Sequence, residues 1–567
     1  MKLNFFEKFL IAWGLFWGIL GMGLYFLGLL SLFYSNVVIT YGLICFIVLI
    51  FFLYSSLRGR RPWQSDAGCH RERQRGDLFI GLILITFLAF AVLNFLIMLA
   101  PEVGFDALWY HLTLPKIYLM THHVSYLSGG LLYYSVMPRL VEMIYGFGLA
   151  LDHTGNLPKI IHYLFGFSWF GAIYLFARLF LERRYALLTA LVCYGTYLVT
   201  WLSGTAYIDL IVAYYSAMAL WGVFRSLRVE APLAMEQSIF LYLAAIFMGF
   251  TLASKLYGLI LLAVLVGILI FSKTNWKIVL RFTIIAILIV LPFYLQAYIS
   301  TGNPFYPVFS VKESALAMYT GGYSNLKDWY LLGWWRHLPS LFLGMIIYSF
   351  TPIFSLIFLV FFAKSWKKML PLLISFLGFF FLWSLNPVQE PRYFIVILPV
   401  LATISIYTLV NISWKVFKVL AFVLLLVGFA YNFSYAKSNF KETLELVFSK
   451  NPRENYLQAR LTPPRNFYDF SGNFTREVGN KKVLTVNVHN LFYVDFNFYD
   501  WSFIENKYDS DLSATLMAKE LKNNGYSYVL IGHLNAAEWL ELPQEEVDKN
   551  FKLILNENDF SLYEILN

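Results

Sequence analysis

The stretch LFIGLILITFLAFAVLNFLIML, residues Leu78–Leu99, followed by Pro101-Glu102-Val103-Gly104-Phe105-Asp106, decides how this chain is read. The run carries no charge and is long enough for a helix to cross a bilayer, which takes about 20 apolar residues. On its N-terminal side lie Leu57-Arg58-Gly59-Arg60-Arg61 and His70-Arg71-Glu72-Arg73-Gln74-Arg75, six arginines in one short loop. Positive charge resists translocation, so this loop and the N-terminus are expected in the cytoplasm. The span then runs outward and delivers Asp106 to the outer face.

The composition agrees with this reading. Of 567 residues, 59% are hydrophobic, 19% aromatic and only 14% charged, with a mean hydropathy of +0.63. A soluble domain carries roughly 25% charged residues, so an ordinary cytosolic enzyme, a disordered chain and a coiled coil are excluded. The net charge of +9 is no argument for nucleic-acid binding, because in a membrane protein the place of the charge matters more than its sum. Cys45, Cys69 and Cys193 are scattered and imply neither a disulfide framework nor a metal knuckle. The first apolar run, Phe9–Phe33, has no small-residue cleavage site and is expected to be retained as a span.

Basic clusters recur at Arg178/Arg183/Arg184, Arg225/Arg228, Lys273/Lys277/Arg281, Lys364/Lys367/Lys368 and Lys415/Lys418. Each is expected on the cytoplasmic side, with outer turns at Ser203–Asp209, Ser254–Tyr257, Ser300–Pro339, Asn386–Arg392 and after Phe433. The fold expected is a polytopic α-helical membrane protein of about 13 spans, N-terminus in and C-terminus out. Leu131–Leu151 is apolar enough to cross, but counting it inverts the parity, and it contains Pro138, Arg139 and Glu142. It reads as an interfacial or re-entrant helix of the first outer loop, 100–157. From Ser434 onward Asn, Lys, Asp and Glu become frequent. Val483–Val488 and Tyr526–Ile531 read as buried strands, Leu512–Lys522 as a helix, and Phe551–Leu555 with Phe560–Ile565 as a closing hairpin. Three parts follow: an N-terminal hairpin and basic loop (1–77), a transmembrane catalytic part (78–433) and a small extracytoplasmic α/β domain (434–567).

Ionisable residues at membrane depth are costly and point to function. Gly104-Phe105-Asp106-Ala107-Leu108-Trp109-Tyr110-His111-Leu112-Thr113-Leu114-Pro115-Lys116 places an acid, an imidazole and an ammonium directly after a span. Ser203-Gly204-Thr205-Ala206-Tyr207-Ile208-Asp209 puts a second acid at the head of the next inward span. Thr251-Leu252-Ala253-Ser254-Lys255 and Glu390-Pro391-Arg392-Tyr393 add two cations. The bland alternatives are helix caps for Asp106 and Asp209, a structural role for His111, and snorkelling anchors for Lys255 and Arg392. Taken together, two carboxylates and two cations at one membrane face suit an anionic lipid-linked substrate. The cations hold phosphate and a carboxylate activates a hydroxyl. No Gly-rich phosphate loop or dinucleotide fingerprint is present in the sequence, which disfavours a nucleotide-activated donor.

The order of these features resembles the integral-membrane glycosyltransferases of the GT-C type, the superfamily of the protein O-mannosyltransferases and the lipid A aminoarabinose transferase. The matching elements are Asp106 in the first large outer loop, the Thr-Ala-Tyr-Ile-Asp turn ending in Asp209, the Ala-Ser-Lys turn at Lys255, the loop Gly302-Asn303-Pro304-Phe305-Tyr306-Pro307, the segment Glu390-Pro391-Arg392-Tyr393 and the C-terminal α/β domain. The resemblance implies transfer of a sugar from a polyprenyl-phosphate carrier. In it Asp106 is the catalytic base or a metal ligand, and Lys255 and Arg392 lie near the donor phosphate; Asp209 and His111 are further catalytic candidates by their place beside the spans. Tyr110, Lys116, Glu390 and Tyr393 complete the substrate-binding set. It also allows Asp106 as ligand of a divalent ion such as Mg or Mn. The chain departs from the pattern where Ala107 follows the first acid, where Val136-Met137-Pro138-Arg139 replaces a Lys-Pro-Pro segment, and in its extra N-terminal hairpin.

The function expected is glycosyl transfer at the outer face of a bacterial cytoplasmic membrane, from a polyprenyl-phosphate sugar to an envelope acceptor. One alternative is a lipid-linked glycan flippase, which needs charges along mid-span paths, whereas Ile284–Val290 and Ile395–Val400 are uncharged. The other is a non-catalytic glycan-binding assembly protein, in which residues 440–567 would carry the activity. Sugar, acceptor and stereochemical outcome stay open.

Overall fold

The computed structural model describes residues 3–57, 70–127, 133–228, 234–306, 352–385, 390–447, 449–461, 466–501 and 513–566. Most of the basic loop at Arg58–Arg61, most of the long turn Ser300–Pro339, and Asn386–Gln389 lie outside them.

Among the described residues twelve α-helices come first: α1 (Phe5–Leu29), α2 (Ser35–Leu57), α3 (His70–Met98), α4 (Thr113–Thr121), α5 (Leu140–Leu151), α6 (Asn156–Ala177), α7 (Arg183–Tyr194), α8 (Tyr197–Ser203), α9 (Asp209–Ser226), α10 (Ala234–Ser254), α11 (Gly258–Phe271) and α12 (Trp276–Thr301). Among the described residues six helices are long and apolar enough to cross a membrane, or seven if the bent pair α7–α8 is one span. Six shorter apolar helices accompany them. Large apolar side chains stand exposed along α2, α3, α12 and the later helix Lys415–Val447, for example Phe51, Ile85, Leu288 and Val419. Such faces are unfavourable in water and natural in lipid. The chain is a multi-pass membrane protein.

Local chemistry sets the helix ends. Asn4 and Glu7 form a reciprocal capping box at the start of α1. Gly302, at φ 73°, closes α12 in the left-handed region. α7 and α8 meet at 63° across Gly195 and Thr196, where the Thr196 hydroxyl caps α8 and Asn432 donates to the Gly195 carbonyl. α9 is the centre of the bundle, buried from Asp209 to Phe224 and packed on α6 and α10. The extra hairpin is integral to this core. Tyr214 and Tyr215 of α9 donate to the Leu10 and Gly14 carbonyls of α1. A Cβ on Gly18 would lie 2.2 Å from the Phe250 ring of α10, so glycine is what lets these two helices approach.

The segment 131–151 was expected as an interfacial or re-entrant helix, and its described residues do not lie on a surface. α5 occupies only Leu140–Leu151, too short to cross at about 1.5 Å per residue. It is covered by protein on nearly all sides, with Leu151 as its exposed member. Arg139 and Glu142, which made the segment look interfacial, are buried with it.

The C-terminal part holds a five-stranded sheet of order β2-β1-β3-β5-β4: β1 Lys482–Val486, β2 Phe498–Asp500, β3 Tyr526–Gly532, β4 Phe551–Glu557 and β5 Phe560–Ile565. β1 runs parallel to β2 and β3, and the β4–β5 hairpin adds antiparallel to β3. The hairpin turns on Asn558 and Asp559, both at positive φ, the conformation that matches strand twist. One face of the sheet buries Leu484, Val529 and Ile531 under the helix Ala514–Asn523. The other face, with Val483, Leu530 and Leu562, belongs to the same apolar core as the membrane helices. β2 was not visible in the sequence. The helix Lys415–Val447 runs unbroken through the change of composition at Ser434.

Candidate active site

After α3 the chain makes a tight loop held by a residue that the sequence reading passed over. Glu102, 1% exposed, accepts the backbone N–H groups of Val103 and Gly104 at 2.9 and 2.6 Å. Its second oxygen accepts the Ala206 N–H at 2.5 Å. One carboxylate thereby ties the Asp106 loop to the α8–α9 turn. His162 of α6 fixes the other side of that turn. Its Nε2 accepts the Leu210 N–H at 3.0 Å, so Nδ1 carries the hydrogen and donates to the Thr205 carbonyl at 2.8 Å. Tyr145 of α5 donates to the Tyr207 carbonyl, and Lys159 of α6 donates to the Ala100 carbonyl at 2.5 Å. The signal for all four was a polar residue inside an apolar run.

This scaffold brings six of the expected residues, Asp106, Tyr110, Asp209, Lys255, Arg392 and Tyr393, together from four distant segments. Arg392 Nη2 lies 2.6 Å from Asp106 Oδ2, and Lys255 Nζ lies 2.9 Å from Asp209 Oδ1. Tyr110 donates to Asp106 Oδ2 at 3.4 Å, and the Asp106 N–H meets the Tyr207 hydroxyl at 3.3 Å. Aromatic faces carry the cations. Arg392 lies 5.1 Å from the Tyr207 ring centroid, and Lys255 lies 4.5 Å from that of Tyr393, which stacks on Tyr257. The helix-cap and snorkelling alternatives fail on this geometry, whereas His111 is held structurally. Neither the short π-helix Ala107–His111 nor α9 has a side-chain cap hydrogen bond. Both cations turn inward to carboxylates, their side chains 14 and 15% exposed.

The cluster has hydrogen-bonding capacity to spare. Among the described residues Asp209 Oδ2 and Arg392 Nε are buried without a partner, a costly state that a polar ligand would relieve.

Other expected residues lie apart from it. His111 is 1% exposed, its Nδ1 2.7 Å from Glu142 Oε1 and its ring against Tyr110, so it is enclosed by protein. Lys116 points away to the C-terminal domain and donates to the Phe492 and Val494 carbonyls, both at 2.7 Å, with Asp495 at 3.7 Å. Burial outweighs the opposing pull of Asp495 and pushes its ammonium down to about 8. Glu390 is exposed at the start of the short helix Pro391–Val396. A cavity of about 510 Å³ lies near Lys116, lined by Ser35, His153, Asp495 and Asn497 among others, and not over the four charges.

Asp106 and Asp209 each face a cation rather than one another. Divalent ions take several oxygen ligands. Among the described residues no group of three His, Cys, Asp or Glu side chains converges on one point.

No family model and no curated protein matches the sequence. Solved structures do. ArnT from Cupriavidus metallidurans bound to undecaprenyl phosphate is similar with a TM-score of 0.52 at 13% identity, over 86% of this chain and 97% of that one. Apo ArnT from the same organism gives a TM-score of 0.50 at 12% identity, over 87% and 98%. At such identity the likeness is one of fold.

Proposed function

We propose that this chain, whose fold is that of the GT-C glycosyltransferases, transfers a sugar from a polyprenyl-phosphate donor to a hydroxyl-bearing envelope acceptor at the outer face of a bacterial cytoplasmic membrane. The carrying observation is the paired cluster Asp106–Arg392 and Asp209–Lys255 at helix ends, with Arg392 Nε and Asp209 Oδ2 unpartnered. A donor phosphate entering from the lipid meets Arg392 and Lys255, and a guanidinium suits a phosphate because its donors match two oxygens at once. As Arg392 turns to the phosphate, Asp106 loses its cation partner and becomes a better base. The acceptor O–H bond then breaks with its proton passing to Asp106. The acceptor oxygen bonds to the anomeric carbon, and the bond from that carbon to the phosphate oxygen breaks, its electron pair leaving with the polyprenyl phosphate. Asp209 keeps Lys255 in place and neutralises the site while no donor is bound. The neighbour's bound undecaprenyl phosphate supports a lipid phosphate as the ligand.

The flippase reading lacks such support, because the charges gather at helix ends rather than along a path through the bundle. The test is mass spectrometry of lipid-linked sugars in a strain lacking the protein. A polyprenyl-phosphate sugar is expected to accumulate there, and to be consumed when the full chain in nanodiscs is added with envelope extract. No accumulation and no consumption would refute the reading.

A further inference from the structure

β1 is the middle of the three parallel strands, with β2 on one side and β3 on the other. The chain leaves β1 towards β2 and later returns to β1's other side as β3. The strand order therefore reverses at the carboxyl end of β1, where open α/β sheets form their binding crevices. Here that end is turned onto the catalytic loop. Asn487, at φ 54° and donating to the Gly532 carbonyl, bends the chain out of the strand. The next residues run across the loop that bears Asp106. Tyr493 donates to the Glu102 carbonyl at 2.7 Å, and Lys116 takes the carbonyls of Phe492 and Val494.

His489 lies at the head of this segment. Its ring centroid is 4.8 Å from that of Phe105, directly before Asp106, and 4.6 Å from that of Trp109, three residues after it. Its Nδ1 is 2.8 Å from Asn490 Oδ1, and Asn490 donates to Asn466, so the ring is oriented from its own domain. Exposure separates two sets of residues. Phe105, Asp106, Trp109 and His489 are each only partly covered, whereas Ala107, Leu108, Tyr110 and His111 are buried. The accessible side of the loop is thus one carboxylate beside three aromatic rings, one of them contributed by a segment nearly four hundred residues away in the chain.

We infer that Phe105, Trp109 and His489 form a stacking face for a carbohydrate ring, and that His489 is the specificity-determining residue the C-terminal domain supplies to the site. A pyranose or furanose has an apolar C–H face and a polar hydroxyl rim. Laid on the rings, it presents its rim to Asp106. The inference rests on the glycosyl-transfer reading above, and the ring is that of the donor sugar or of a glycan acceptor.

The test uses the full chain in nanodiscs, as wild type, His489→Ala and His489→Phe. Saturation-transfer NMR with a panel of methyl glycosides is expected to show transfer to at least one glycoside. His489→Ala should weaken it about two- to tenfold, the scale of one aromatic contact, and His489→Phe should restore it. Binding of undecaprenyl phosphate and of the sugar-bearing lipid from the deletion strain separates the sources. Loss for the sugar-bearing lipid alone assigns the donor ring; loss for neither, with the glycoside signal reduced, assigns the acceptor. Unchanged transfer in His489→Ala, no transfer in the wild type, or an equal loss for bare undecaprenyl phosphate overturns the inference. A wild-type chain that binds glycosides but not undecaprenyl phosphate refutes the donor chemistry and leaves the stacking face standing.

Discussion

At the scale of the residue, Asp106 is set apart by what it does not do. It caps no helix, and its carboxylate is given to Arg392 at 2.6 Å and Tyr110 at 3.4 Å. Asp106→Asn keeps the size and the acceptor oxygen but removes the charge. Turnover is expected to fall about 10²–10⁴-fold, the scale of general-base assistance, with expression and thermal stability nearly unchanged. A fully active variant would pass the catalytic role to Asp209. Arg392 gives a second prediction. Loss of a charge-assisted hydrogen bond costs roughly 1.5–3 kcal/mol, so Arg392→Ala should weaken undecaprenyl phosphate binding by one to two orders of magnitude, as measured by native mass spectrometry. Arg392→Lys should restore only part, because an ammonium lacks the two-pronged contact. These residues were legible in the sequence because a charge beside a span is costly wherever it lies. Glu142, Glu102 and His162 were not, since their meaning is a partner 31, 104 and 48 residues away.

At the scale of the element, the contact that matters most joins α4 to the C-terminal domain. Lys116 was expected near the substrate, and its ammonium instead holds two backbone carbonyls of the 492–494 segment. Lys116→Met keeps the stem against Phe492 but removes the donors, leaving two partly buried carbonyls to find water. Undecaprenyl phosphate affinity should stay within about twofold, since Lys116 is not among the four site charges. Protection of residues 489–494 in hydrogen exchange should drop, and the midpoint of thermal unfolding should fall by a few degrees. Unaltered protection would show that the apolar contact alone docks the domain. The short π-helix Ala107–His111 belongs to this scale too. Such single turns gather at functional sites, and here it presents Tyr110 towards Asp106 while His111 turns inward to Glu142. No periodicity in the sequence announces a turn of this kind.

At the scale of the whole molecule, the alternation of arginine clusters with acid-bearing turns predicts sidedness. In a Cys69→Ser background, Lys519→Cys on the exposed side of helix Ala514–Asn523 should react with an impermeant maleimide on intact cells or spheroplasts. Labelling only after lysis would invert the scheme. The sequence by itself determined that this is a multi-pass helical membrane protein with a small α/β domain at its C-terminal end. Apolar runs and strand patterns are local, and the bilayer reads them locally. It also marked Asp106, Asp209, Lys255 and Arg392 as costly charges awaiting partners. Only the tertiary structure decided which carboxylate meets which cation, that α5 is enclosed rather than interfacial, and that His489 reaches the loop bearing Asp106. Pairing is a property of distance, and distance between segments hundreds of residues apart is set by how helices pack and sheets dock, which no window along the chain contains.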